Sequence, residues 1–394
     1  MIRRITRVMI VLLILTGVAN GVETVAAISP VHEAARYLIQ ICDATGQFEY
    51  RVNTDPSVRV TPKYNILRHA GTVYSLCMYE DRYPTALTRA AVARAVGFMQ
   101  RNAIGGVGSH TNMLAVWSRP EINLGDDPLQ AKLGGTGLGL VALTSAHRVG
   151  AIEADLGQLR KLAEFIRYMQ EKNGRFVSKY IPSEGGRTDF WASLYYPGEA
   201  ALGLIMLYEI DPNPAWLDAA MRALLYLSTS RHGDKDLPPD HWTLLAMHRL
   251  LRLPRSFERK RQYEVLEAHA AELCHSIIAV RAMNTRTVGF TGDGRTCASA
   301  TRLEGLIAAL PLLSDPRLRA RTQHAVDQGI EFLLGTQLRS GFCAGGWPRA
   351  ARKLPKGHSG YTSSFNRRAT EVRIDYVQHA MSALLMYEAV KPGH

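Results

Sequence analysis

Apolar residues recur along this chain at i, i+3, i+4 and i+7 in one segment after another, with almost no stretch alternating at every second residue. The periodicity predicts about twelve helices, over residues 31–42, 64–80, 88–101, 133–148, 154–171, 195–209, 214–230, 240–252, 258–281, 297–313, 317–337 and 370–390. Twelve helices make six hairpins, and the hairpins share a signature: a Gly-containing turn, an aromatic-bearing connector, then a second helix ending in an aromatic–acid pair. Gly46-Gln47-Phe48-Glu49-Tyr50 leads to Met78-Tyr79-Glu80, Gly174-Arg175-Phe176 to Leu207-Tyr208-Glu209, and Gly341-Phe342 with Trp347 to Met386-Tyr387-Glu388. Weaker copies begin at Gly105-Gly106, Gly233 and Gly289-Phe290. A unit recurring every ~50 to 70 residues is a repeat architecture in which each hairpin buries its apolar face against its neighbours. Six units can close a ring, whereas an open solenoid needs polar caps that neither end shows. The expected fold is therefore all-α, an (α/α)6 toroid over residues 28–394.

Residues 1–27 read differently. Arg3, Arg4 and Arg7 precede the apolar run Val8 to Leu15, which is too short to span a bilayer and has the form of a signal peptide or an uncleaved N-terminal anchor. Export to the periplasm, the exterior or the outer face of a membrane is the expectation, with that anchor as the chain's one route to a membrane. The rest, within a chain that is 46% hydrophobic and 21% charged, has the composition of an ordinary globular body. A formal net charge of +12 points to an anionic partner. Nucleic acid fits poorly, because Arg352-Lys353 with Lys356, and Arg367-Arg368, lack interleaved stacking aromatics. Cys42, Cys77, Cys274, Cys297 and Cys343 show no metal-ligand spacing, so they are expected in the core, with at most one disulfide that the sequence does not assign. No cofactor or metal is expected. Gly134 to Gly139 lacks a preceding strand and GxGxxG spacing, and reads as a tightly packed helix rather than a nucleotide loop.

The six-hairpin pattern and the Gly345-Gly346-Trp347-Pro348 connector resemble the (α/α)6-toroid carbohydrate-active enzymes: six-hairpin glycoside hydrolases, polysaccharide lyases and the C-terminal domain of D-glucuronyl C5-epimerases. The resemblance implies an oligo- or polysaccharide ligand and glycoside hydrolase, lyase or uronate C5-epimerase chemistry; a non-catalytic glycan-binding or assembly role is the alternative. The DxDD acid motif of the terpene cyclases, another group of toroids carrying GGWP, is absent.

In such a ring the starts of the inner helices surround one mouth, so polar groups there are the site candidates. Glu371, Asp375 and His379 at i, i+4 and i+8 would form one polar stripe as acid, base and orienter, opposite Ile374, Val377, Met381 and Leu385. Pro197 at a helix start puts Glu199 in the first turn, where the helix dipole is expected to hold its pKa down. Asp189 stands beside it in sequence, with Trp191, Tyr195 and Tyr196 as sugar-stacking aromatics. Asp240 reads as an N-cap, with His241 and Trp242 at the mouth. Arg68 is suited to a bidentate oxyanion contact and His69 to proton transfer, with Trp347 and Arg373 added as ligand contacts. Arg295, Arg302 and Glu304 read most simply as surface charge.

Overall fold

The protein is described here from a computed structural model covering residues 29–125, 127–254, 257–279 and 285–391. The segment on which the export expectation rests lies outside the described residues. Among the described residues, twelve long helices alternate between two layers. The outer layer holds α1 (Pro30–Gln40), α3 (Ala86–Asn102), α5 (Leu156–Tyr168), α7 (Pro214–Ser230), α9 (Lys260–Ala279) and α11 (Pro316–Thr336). The inner layer holds α2 (Ile66–Arg82), α4 (Leu133–Arg148), α6 (Tyr196–Tyr208), α8 (His241–Leu251), α10 (Thr296–Ala309) and α12 (Ile374–Val390). Each inner helix packs on the next, and α12 packs back on α2, so the ring closes as an (α/α)6 toroid.

Sequence dictates the layer. Outer α5 buries one stripe, Leu159, Leu162, Ala163, Phe165 and Ile166, and leaves its charged face to solvent. Inner α4 is buried on every side from Leu133 to Ala146, which explains its apolar and glycine-rich composition. A β-carbon on Gly137 would stand 2.7 Å from the backbone of Glu199 and Ala200, so glycine is what lets α4 and α6 approach so closely.

The recurring glycine turn has a specific task. Gly46, Gly174 and Gly345 share a left-handed backbone, with φ of 92°, 95° and 92°. A β-carbon on them would collide with the carbonyl oxygens of Arg94, Arg222 and Glu33 respectively. Each turn follows one outer helix and abuts the next outer helix round the ring, α3, α7 and α1. Gly345 on Glu33 therefore seals the last hairpin to the first. In this third copy the glycine in register is Gly345, not Gly341.

Short strands interrupt the helical pattern. The antiparallel order β2-β3-β4-β5-β6 joins Ile104–Val107, His110–Ser118, Gln130–Lys132, Lys179–Ile181 and Gly186–Thr188, while β1 (Arg51–Asn53) pairs with β7 (Glu371–Arg373). The nine residues of β3 lack the two-residue alternation that reveals a strand, because Ala115, Val116, Trp117 and Ser118 are buried consecutively. The last helix begins at Ile374 rather than residue 370, since Glu371 to Arg373 pair with Arg51 to Asn53. All five cysteines are free, four of them buried.

Candidate active site

The starts of the inner helices surround a cavity of about 510 Å3. Its floor and walls bring together residues from every inner helix. Arg68 comes from α2, Leu138 from α4, Glu199 from α6, His241 and Trp242 from α8, Arg302 from α10, and Asp375 and His379 from α12. Tyr195, Tyr196 and Arg373 complete the predicted residues found there.

At the centre is a histidine–carboxylate pair that the sequence hid. Glu304 on α10 is buried, and its Oε2 accepts a hydrogen bond from Nδ1 of His379 at 2.7 Å. This bond sets the tautomer and leaves Nε2 as the basic atom of the ring. Burial opposes the charged imidazole, yet the Glu304 carboxylate outweighs it and raises the His379 pKa. His241 is the opposite case. Both of its ring nitrogens are buried without a hydrogen-bond partner, and burial, with His379 and Arg302 nearby, lowers its pKa well below the usual imidazole value. The two rings meet edge to face at 5.4 Å between centroids, and His241 Nε2 is 3.9 Å from Glu304 Oε2. Among the described residues, His241, Glu304 and His379 offer ligand atoms within 4.8 Å of one another, a set that could hold a divalent ion.

Asp375 is held in place electrostatically. Arg373 donates to both of its oxygens, at 2.5 and 2.8 Å, and Arg68 Nε adds a contact at 2.8 Å. Burial would raise this carboxyl, but the two guanidiniums hold it down at about 2. Arg68 is itself steadied by the Tyr50 hydroxyl at 2.5 Å. Glu199 departs from its expectation. Burial is the dominant cause, Asp240 adds to it, and the pKa rises to about 8 rather than falling under the helix dipole. One carboxyl oxygen, Oε2, is buried without a partner.

Five predicted site residues lie outside the cavity lining. Glu371 lies in β7 rather than on the polar stripe of α12; it receives Arg368 at 2.7 and 3.1 Å and the Tyr376 hydroxyl at 3.0 Å. Asp189 sits on an exposed loop in a two-pronged contact with Arg175 at 2.5 and 2.9 Å. His69 is fully buried between the Tyr64 hydroxyl and the Ala95 carbonyl, both at 2.8 Å, and burial lowers its pKa to about 4. Trp347 is inaccessible, its indole nitrogen donating to the Leu333 carbonyl at 2.8 Å, so it is core rather than stacking surface. Trp191 is half exposed and does not line the cavity, but it meets edge-on the ring of Tyr196, which does. Asp240 is the N-cap of α8, accepting from Thr243 N at 3.1 Å.

Sequence reasoning found Arg68 and Arg373 but missed the other four arginines of the cavity. Arg295, Arg302, Arg349 and Arg368 all line it, and Glu304 beside them is the buried partner of His379. Arg349 is delivered by the connector after α11, whose backbone accepts from Thr296 N at 3.1 Å, while Ala350, Leu354, Phe365 and Ala369 form a small apolar cluster of their own.

No family model matches the chain, and no curated protein does. Solved structures do resemble it. A sugar epimerase from a ruminal bacterium superposes with a TM-score of 0.66 at 11% identity, over 91% of this chain and 97% of that one. Cellobiose 2-epimerase from Spirochaeta thermophila gives 0.60 at 12% identity, over 91% and 95%. The GH76A α-1,6-mannanase from Salegentibacter gives 0.59 at 12%, over 92% and 99%. Epimerases and a glycosidase thus share this fold with the chain, and the choice among chemistries passes to the side chains of the cavity.

Proposed function

We propose that this protein is a carbohydrate-active enzyme that removes and returns a proton at a sugar carbon beside a carbonyl, an epimerase or aldose–ketose isomerase acting on an acidic saccharide. The observation that carries the reading is the buried pair His241 and His379, one nitrogen-rich wall with Glu304 orienting the second ring. His379 Nε2 takes the proton, Glu304 stabilises the imidazolium that forms, and Arg68, fixed by Asp375 and Tyr50, faces the negative charge that develops on the sugar oxygens. The neutral His241 supplies the second donor and acceptor. Because the imidazoles stand side by side, the proton leaves and returns from one side. Inversion at a carbon then requires the sugar chain to turn between the two steps, which an open-chain enediolate at a reducing end permits and an internal ring residue does not. The epimerases among the similar structures are consistent with this chemistry.

A hydrolytic reading is supported by Glu199, whose pKa of about 8 suits a general acid. Its drawback is the second carboxylate: Asp375 has both oxygens committed to guanidiniums. The acidic nature of the substrate rests on the arginines of the cavity and the net charge. Action outside the cytoplasm, part of the same proposal, rests on the Arg3 to Leu15 sequence; a full-length chain found only in the cytoplasmic fraction would remove it.

Chromatography of reducing acidic oligosaccharides after incubation tests the reaction type. Interconversion without cleavage, lost in His379→Asn and kept in Glu199→Gln, is the expected result. Chain cleavage that Glu199→Gln abolishes and His379→Asn spares would replace this reading with hydrolysis.

A further inference from the structure

Six guanidiniums line the cavity, and four of them are matched. Arg68 and Arg373 share Asp375, Arg368 rests on Glu371, and Arg295 on Asp293 at 2.7 Å. Arg302 and Arg349 have no carboxylate partner among the described residues. The Nε of Arg302 is buried without an acceptor, and one terminal nitrogen reaches only the Ala298 carbonyl at 3.0 Å. Arg349 lies over the Phe365 ring, 5.0 Å from its centre, and Arg295 shares that ring at 5.9 Å. Arg295 is also the cationic neighbour common to Arg302 and Arg349. One wall therefore gathers three guanidiniums against a single carboxylate. Burying a guanidinium nitrogen without an acceptor is unfavourable, so Arg302 Nε is held at a cost that an incoming anion would offset.

Resting on the reading of this cavity as a saccharide site, we infer that Arg302 and Arg349 form the receptor for an oxyanion carried by the saccharide, whether carboxylate, phosphate or sulfate. Planar guanidiniums hold such groups with two parallel hydrogen bonds and stay charged at every working pH. Arg68, the residue that the sequence singles out for this task, is already occupied by Asp375. The receptor thus lies on the α10 side of the cavity, near His241.

Calorimetric titration of the full chain with D-glucuronate, D-glucose 6-phosphate, D-glucose and inorganic sulfate tests this. In the wild type the anionic sugars are expected to bind more tightly than glucose. Arg302→Gln and Arg349→Gln should each weaken the anionic sugars by about tenfold or more, as expected for loss of a charge-assisted contact, and glucose by less than about twofold. Arg302→Lys, which keeps the charge but not the fork, should restore part of the loss, and unchanged circular dichroism of the variants establishes that they fold. A preference for glucuronate over glucose 6-phosphate and sulfate identifies a carboxylate receptor, and the reverse order a phosphate or sulfate receptor. No anion preference in the wild type, or equal losses for glucose and glucuronate, overturns the inference. The proton-transfer reading fails separately: arginine-dependent binding could persist with no interconversion, and His379→Asn should leave binding of glucuronate intact.

Discussion

The toroid has two mouths, and they differ in a way that cavity size does not reveal. At the carboxyl ends of the inner helices lies a second cavity of about 590 Å3, slightly larger than the 510 Å3 site and also rich in arginine. There three of the four lining arginines are paired with carboxylates, Arg249 with Glu209, Arg82 with Glu388 at 3.2 Å and Arg148 with Asp81 at 3.8 Å; the fourth, Arg252, is exposed to solvent and reaches His248 at 3.4 Å, whose other ring nitrogen bonds the Ala308 carbonyl at 2.8 Å. None of its lining residues carries a buried polar atom without a partner, whereas the amino-terminal mouth leaves Glu199 Oε2, both nitrogens of His241 and Arg302 Nε unmatched. Unmet hydrogen-bonding demand, retained against its energetic cost, distinguishes a site shaped for a ligand from a gap between helices.

The comparison is most exposed at His379. Replacing it with Asn should lower interconversion by roughly a hundredfold or more, the scale of a lost general base, while Arg252→Gln at the opposite mouth should change the rate by less than about twofold. Comparable losses from both would erase the distinction between the mouths.

His69 offers a structural counterpart. It too stands in the first turn of an inner helix, but both its nitrogens are satisfied in the core. His69→Leu should cost about 1–3 kcal/mol in chemical denaturation, by stranding Tyr64 and the Ala95 carbonyl, and leave the turnover of the folded fraction unchanged. A fall in turnover without a fall in stability would give His69 the catalytic part that its position denies it.

A smaller effect comes from Glu199. Its folded pKa, about 8, is raised above the ordinary carboxyl value, so the stability it contributes is complete below about pH 4.5 and is lost as the pH rises through 8. Glu199→Gln removes that loss, so its melting temperature relative to wild type should increase between pH 5 and pH 9. A difference independent of pH would show that Glu199 is already ionised in the fold. The smallest expected change is that from chelation. If His241, Glu304 and His379 act as proton-transfer groups, EDTA dialysis should alter the rate by less than about twofold; a loss restored by zinc would make them ligands instead.

Much of this architecture is legible in the sequence because helical periodicity is strong in both layers and because the glycine turn needs a left-handed backbone pressed against a neighbouring carbonyl, which no other residue supplies easily. β3 is hidden by burial on both faces, and β1, β4, β5, β6 and β7 are only three residues long, too short to show an alternation. Around the cavity, position along an inner helix was informative: Arg68, Tyr195, Tyr196, Glu199, His241, Trp242, Arg373, Asp375 and His379 all line it. What the sequence lacked was any sign of which polar groups already have partners. Glu304 reads as surface charge until α10 packs between α8 and α12 and buries it against His379, and His69 reads as a proton carrier until Tyr64 and Ala95 claim it. Asp189 reads as a companion of Glu199 by proximity in sequence, although β6 carries it outward to Arg175. Partnership is a tertiary property, and it separates the site residues from their look-alikes.

Proton transfer by the His241–His379 wall can be followed by running the reaction on a reducing acidic disaccharide in deuterium oxide and reading the sugar carbons by nuclear magnetic resonance. The converted sugar is expected to carry solvent deuterium at the carbon beside the carbonyl, and His379→Asn to show neither conversion nor label. Conversion without label that proceeds equally well in His379→Asn, or cleavage of the disaccharide in place of conversion, would contradict proton transfer by this wall.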